Sequence, residues 1–204
     1  MRVCMSVLMA RVEEIRNQFP VLSRKVYGKD LVYFDNAATS QRPQSVLDMW
    51  NKISSESNAN IHRAVHRLAD EATQAYEASR DAVKDFLNAS SREEIVFTSG
   101  TTNSLNMIVD GFFRNHLEPG DEIIISESEH ASNILPWYRL ASDNGLVVKH
   151  CPLDDNHYVT LNNLKNIITP NTKVISIAHI TNVVGDIRPI KEIIEFAHSK
   201  GIKV

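Results

Sequence analysis

Three short stretches of the sequence carry residues that could act together on one small ligand. The first is Thr98-Ser99-Gly100-Thr101-Thr102-Asn103, in which a glycine and two hydroxyl residues open a helical pattern. Backbone N–H groups at a helix start, the helix dipole and the Thr101 and Thr102 hydroxyls together could hold a phosphate dianion. Gly100 would let the anion approach the backbone. A plain hydroxyl cap on a surface helix would use the same residues. The second stretch, Glu127-Ser128-Glu129-His130-Ala131-Ser132-Asn133, offers His130. Its imidazole could lie flat over an aromatic ligand or move a proton near neutral pH, although a solvated or capping histidine is the simpler role. The third, His179-Ile180-Thr181-Asn182-Val183-Val184-Gly185, offers Asn182, whose amide suits a phenolic oxygen or a carboxylate, or closes a turn.

These stretches need elements that bring them to one place. From Glu94 onward, short β-rich runs alternate with helical patterns, which argues for parallel strands joined by helical crossovers. Strands are expected over 95–98, 122–126, 146–151 and 173–178, with an interrupted one from Ile202. Helices are expected over 103–114, 131–144, 161–168 and 189–200, and Gly120, Gly145 and Gly201 mark returns to strand. All three polar stretches then follow strand ends, where ligands bind in an open parallel sheet. A phosphate cradle, a stacking ring and an amide on one sheet edge fit an aromatic phosphate ester, and pyridoxal phosphate is such a ligand. There is no GxxxxGK[ST] and no GxGxxG, so neither a nucleoside triphosphate nor a dinucleotide is specified.

The amino-terminal part has its own elements: a helix over 11–18, a short strand over 31–34, a helix after Pro43 with Val46, Leu47, Met49, Trp50 and Ile53 as its apolar stripe, and a longer helix over 66–87. Ser54 to Asn60 reads as polar loop. His62 and His66 stand at i and i+4, but no glutamate completes an HExxH pattern and no third ligand is evident, so no metal site is expected.

Composition narrows the function classes. Of 204 residues, 43% are hydrophobic and 23% charged, which supports a sizeable core and excludes general disorder. With 22 Lys+Arg against 25 Asp+Glu, the formal charge of −3 gives no basic footprint for nucleic acid or an anionic membrane. Cys4 and Cys151 form neither a disulfide framework nor a thiolate metal motif, which suits a reducing, cytoplasmic setting. Residues 1–10 lack the long apolar region and cleavage site of a secretory signal, and no stretch approaches the roughly 20 apolar residues of a membrane span. Met5 or Met9 could equally be the start. The sequence stops at Gly201-Ile202-Lys203-Val204, inside a predicted strand, so it reads as an amino-terminal fragment. The expected organisation is an amino-terminal segment over 1–30 and the first part of a larger α/β domain over 31–204.

Five segments carry a resemblance in order and approximate spacing: Tyr33-Phe34-Asp35-Asn36-Ala37-Ala38, Asn60-Ile61-His62-Arg63-Ala64-Val65-His66, Phe97 to Thr102, Ser128 to Trp137, and His179 to Gly185. Together they resemble the Suf-type (group II) cysteine desulfurases of the class V aminotransferase superfamily. The resemblance implies fold type I, a three-layer α/β/α large domain with a mainly parallel sheet, here truncated. It implies pyridoxal 5'-phosphate as cofactor, with Gly100, Thr101 and Thr102 at its phosphate, His130 stacked on its ring as the catalytic histidine, and Asn182 near its hydroxyl and the substrate. Ala37 would lie beside the substrate carboxylate, and His62-Arg63 would reach the active site across a homodimer interface. The implied reaction removes sulfur from L-cysteine as a protein persulfide, leaving L-alanine, and passes it to an acceptor protein of iron–sulfur assembly. A selenocysteine lyase or another class V enzyme would share these features.

In that family the aspartate facing the ring nitrogen comes just beyond Val204, and the cofactor-bearing lysine, the sulfur-accepting cysteine and the carboxylate-binding arginine come later. Cys151 ends a predicted strand and reads as a small buried hydrophobe, and neither it nor Cys4 matches the acceptor. The 204 residues alone are therefore expected to be inactive. A chain that only binds or dimerises is the contrasting reading, and half a sheet with apolar faces in water argues against it.

Overall fold

In a computed structural model of the protein, residues 11–63 and 65–204 are described. Cys4 and the alternative start residues lie outside them. The chain divides into two compact units between Val96 and Phe97.

The first unit begins with helix α1 (residues 11–16) and a 3-10 turn at Pro20–Ser23. Arg16 donates 2.9 Å hydrogen bonds to the Leu22 and Leu31 carbonyls, which fastens this stretch together. The strand expected over 31–34 does not form. A hairpin precedes it instead, β1 (Lys25–Val26) with β2 (Lys29–Asp30), turning at Tyr27 and Gly28 with φ of 52° and 76°. Two consecutive positive φ angles are what a tight two-residue hairpin turn requires. Leu31 still donates its N–H to the Arg24 carbonyl at 3.0 Å, and the stretch after it is held by the Tyr33 hydroxyl donating to the Asp35 and Thr39 carbonyls at 3.1 and 2.7 Å.

Helix α2 (Gln44–Glu56) starts directly after Pro43 and takes in three residues expected as loop. Helix α3 (Arg67–Leu87) has His66 as its N-cap, with Nδ1 accepting the Ala69 N–H at 3.3 Å, and Asn88 closes it in the left-handed region at φ 54°. The strand expected over 95–98 is also absent. A 3-10 turn at Arg92–Glu94 precedes it, the Ile95 N–H closes that turn on the Arg92 carbonyl, and the Ile95 carbonyl accepts the Arg80 guanidinium. With both backbone groups engaged, Ile95 has nothing left for a ladder.

The second unit is a parallel sheet in the order β4 (Val147–Cys151), β3 (Glu122–Ser126), β5 (Thr172–Ser176). Beyond β5, a single parallel bridge joins Val174 to Lys203, where the interrupted strand was expected. All five residues of β3 are buried, as a central parallel strand covered on both faces should be. Its alternation divides the core. Ile123 and Ile125 pack with Val109, Phe113, Trp137 and Leu140 from the side of α4 (Thr101–Gly111) and α5 (Leu135–Asn144). Ile124 packs with Leu164, Ile175, Ile193 and Ala197 from the side of α6 (Leu161–Ile167) and α7 (Ile190–His198). Each fully buried isoleucine contributes on the order of 1.5–3 kcal/mol by leaving water. Helices on both faces of a parallel sheet make this unit the expected three-layer α/β architecture. The helix expected over 131–144 is split: a 3-10 turn at Ala131–Asn133 comes first, and α5 follows with Pro136 in its first turn.

Candidate functional site

Helix α4 opens at Gly100, whose φ of 131° and ψ of 170° fall in a region that only glycine adopts without strain. No side chain caps this helix start. The nearby hydroxyls look inward to one another: Thr98 Oγ1 lies 2.7 Å from Ser104 Oγ, and Ser104 Oγ donates to the Gly100 carbonyl at 3.3 Å. Asn106 donates its amide to the Thr102 carbonyl at 2.8 Å. The first backbone N–H groups of a helix have no intrahelical partners, and here they open onto a shallow depression lined by Ser99, Gly100, Thr101, Thr102, Asn103 and Asn106. A Cβ built at Gly100 would meet no atom within 4 Å, so the space over the cradle is open. Uncapped donors, a positive dipole end and two exposed hydroxyls suit a phosphate.

His130 stands at the start of the Ala131–Asn133 turn, four residues past β3. Its Nδ1 accepts the Ser132 N–H at 3.1 Å and lies 2.8 Å from the Ser132 hydroxyl, so in the neutral ring the proton sits on Nε2. The ring is anchored at one edge and exposed. Asn182 is exposed in a turn after β5, whose base is tied by the Thr181 N–H to the Asp186 carbonyl, and by the Asp186 N–H to the Thr181 hydroxyl, both at 3.0 Å. Within the second unit, Gly100, Thr101, Thr102, His130 and Asn182 thus stand at helix starts and loops around the carboxyl ends of the sheet. Helix α4 packs against the turn that follows His130.

The remaining predicted residues belong to the first unit. Ala37 is exposed in the turn closed by the Thr39 N–H on the Asp35 carbonyl at 3.0 Å. His62 has a φ of 66°, donates its N–H to Thr73 Oγ1 at 3.0 Å, and places Nε2 3.4 Å from Glu77 Oε1. Its ring meets Tyr76 edge-on at 5.8 Å, so α3 holds it on two sides. Arg63 is exposed.

Sequence reasoning missed the most densely bonded part of the site. Arg188 is buried completely and pairs with Glu129, the residue before His130. Burial pushes the Glu129 carboxyl up, but hydrogen bonds from Asn133, Arg188, the Ala178 N–H and Ser126 outweigh it, so the carboxyl is held below its usual range. The available signal was Glu129 inside the second polar stretch and Arg188 three residues past the third, after adjacent strands. Cys151, by contrast, lies buried at the end of β4, and burial pushes its thiol up to about 11. A protonated thiol at neutral pH is a poor nucleophile, which agrees with its reading as a small hydrophobe.

The aminotransferase class-V pattern matches residues 32–204. The chain belongs to the aminotransferase class-V family. It is 44% identical to a cysteine desulfurase of Synechococcus elongatus over 193 residues, 95% of this chain and 31% of that protein. A cysteine desulfurase of Serratia proteamaculans is 42% identical, with 95% of this chain and 48% of the relative covered. Among solved structures, the apo cysteine desulfurase of Thermococcus onnurineus superposes with a TM-score of 0.85 at 35% identity, over 93% of this chain and 45% of that one. The cysteine desulfurase CsdA of Escherichia coli gives 0.80 at 36% identity, over 93% and 46%. The chain thus spans less than half the length of each of these proteins.

Proposed function

We propose that the chain is the amino-terminal half of a pyridoxal-phosphate-dependent cysteine desulfurase of the Suf-type group, which takes sulfur from L-cysteine and leaves L-alanine. The observation that carries this reading is the uncapped start of α4, with Gly100 in a glycine-only conformation and Thr101 and Thr102 exposed beside it. The donor set fits the cofactor's phosphate, and the family match and relatives named cysteine desulfurases support the chemistry. Residues 31–204 then form the first part of the cofactor-binding large domain.

In this reading Gly100, Thr101 and Thr102 hold the phosphate and fix the cofactor's position. His130 lies over the ring, its Nδ1 edge anchored by Ser132 and its Nε2 proton free to be passed. Asn182 bonds near the ring hydroxyl and the substrate, and Ala37 borders the substrate carboxylate. His62 and Arg63 serve the partner site of a homodimer. The cofactor supplies an electron sink that weakens bonds around the substrate's α-carbon. The lysine that carries it, the aspartate at its ring nitrogen, the sulfur-accepting cysteine and the carboxylate-binding arginine belong to the rest of the protein. The persulfide product goes to an acceptor of iron–sulfur assembly in the cytoplasm.

The test is to load the whole protein with pyridoxal phosphate and supply L-cysteine. A visible cofactor band and alanine in step with released sulfur are expected. Neither would form if the reading were wrong. Thr101→Ala with Thr102→Ala should weaken cofactor retention while leaving far-ultraviolet circular dichroism unchanged.

A further inference from the structure

Arg188 is the one fully buried cation among the described residues, and both of its Nη groups are hydrogen-bonded while its Nε makes only an ion-pair approach. Nη1 donates to the Glu129 carboxylate and to the Ala178 carbonyl at 3.1 Å. Nη2 donates to the Ser126 and Ser128 hydroxyls, both at 2.8 Å. Nε faces the Asp186 carboxylate at 3.6 Å. Glu129 is held as closely, with 2.8 Å from the Ser126 hydroxyl, 3.0 Å from the Asn133 amide, and 3.0 and 3.1 Å from the Ala178 N–H to its two oxygens. Asn133 continues the network to the Ser176 hydroxyl at 2.6 Å and the Trp137 indole at 3.4 Å.

A buried ion pair of this kind is a weak source of stability, because desolvating both charges offsets most of their attraction. What it supplies that an apolar pair cannot is defined geometry, since a planar guanidinium with several fixed acceptors permits one arrangement. That arrangement has a particular location. Glu129 is bonded directly to His130 in the chain, and Asp186 closes the turn that carries Asn182. The two loops leave adjacent parallel strands, β3 and β5, and Arg188 spans the gap between them.

We infer that the Glu129–Arg188 pair is a positioning device, which sets the His130 ring and the Asn182 amide relative to each other so that both meet one bound cofactor. The inference rests on the cofactor reading above and adds residues that act through His130 and Asn182 rather than touching the ring. Arg188 orients the loop after β5 through Asp186 and the Ala178 carbonyl. Glu129 orients the loop after β3. The device works only as a pair, because either charge left alone is buried without its partner.

The experiment is a pyridoxal phosphate titration of the whole protein, read by cofactor dissociation constant and by visible circular dichroism of the bound ring. Arg188→Met should weaken binding about tenfold and change the visible dichroism, while far-ultraviolet dichroism stays as in the parent. Arg188→Lys should recover part of the affinity, because it restores the charge without the fork. In a His130→Ala/Asn182→Ala background, Arg188→Met should add less than about twofold, since both groups it positions are gone. If Arg188→Met does not fold, the near-isosteric Glu129→Gln carries the same cycle. Losses that multiply in the His130→Ala/Asn182→Ala background, or an unchanged visible signal in every variant, would overturn the positioning role. A parent protein that binds no pyridoxal phosphate would instead remove the cofactor reading on which it stands.

Discussion

Helices α2 and α7 are both amphipathic, yet the structure treats their apolar faces differently. In α7, Ile193 and Ala197 are fully buried against the sheet. In α2 no residue is buried, and Trp50 is 67% exposed with Val46, Met49 and Ile53 beside it. The same contrast runs through the two units. Among the described residues, the first unit buries only Ala69 and Ile95, whereas the second encloses two apolar clusters on either side of β3. An apolar stripe states a demand for a partner surface but does not say where that surface is. In the second unit the sheet meets the demand, and α2 leaves it open, in a chain that spans less than half of each relative described above.

The largest expected effect lies in the core of the second unit. Trp137→Ala should destabilise the protein by about 3–5 kcal/mol, because it empties a fully packed site and removes the indole bond to Asn133. Trp50→Ala, measured in parallel by urea denaturation, should stay within about 0.5 kcal/mol in the 204-residue chain. The same Trp50 change in the whole protein should cost clearly more if the rest of the protein, or a second copy, covers α2. Equal costs in both contexts would break the comparison.

Gly100→Ala sharpens it at the site itself. A side chain in that backbone region costs about 1–3 kcal/mol, although nothing crowds the added Cβ, so the loss would report conformation alone. A thermal melt unchanged from the parent would show that the loop relaxes freely.

The pH dependence of the Glu129 network comes next. Its carboxyl is held below the ordinary range, so its contribution is fully present above the ordinary carboxylate pKa of about 4.3 and is lost as pH falls through the depressed value. Melting temperatures measured from pH 6 down to pH 3 should fall at the acid end, and Glu129→Gln should flatten that part of the profile. The smallest effect concerns Cys151, whose thiol is pushed up to about 11 by burial. A thiol reagent at neutral pH should leave it unmodified until denaturant is added, and rapid labelling of the native protein would contradict its enclosure.

Much of the second unit was legible because its signals are local. The run Glu122 to Ser126 is too short and too apolar for anything but a buried strand, and the glycines after α5 and α7 mark the returns. The paired hydroxyls after Gly100 predicted a helix start, and one is there. Where reading failed, the deciding partner was not local. Leu31 to Phe34 and Ile95 to Thr98 have strand composition, but strands exist only where a neighbour supplies a ladder, and backbone groups in both stretches are taken by turns and side chains. The pairing lies upstream of the first stretch, in the hairpin that turns at Tyr27 and Gly28. Arg188 was missed for the same reason: its charge suggested the surface, and only its fold neighbours Glu129, Ser126 and Ser128, some 60 positions earlier, make burial tolerable.

The central claim is that the start of α4 and the two strand-end loops form the phosphate and ring half of a pyridoxal phosphate site. The most direct measurement is a cofactor titration of the whole protein beside its Thr101→Ala/Thr102→Ala variant, with alanine production from L-cysteine followed on the same samples. The account predicts saturable binding in the parent, weakened at least about tenfold in the variant at unchanged fold, with alanine formation falling in proportion to bound cofactor. Equal affinity in the two proteins would contradict it.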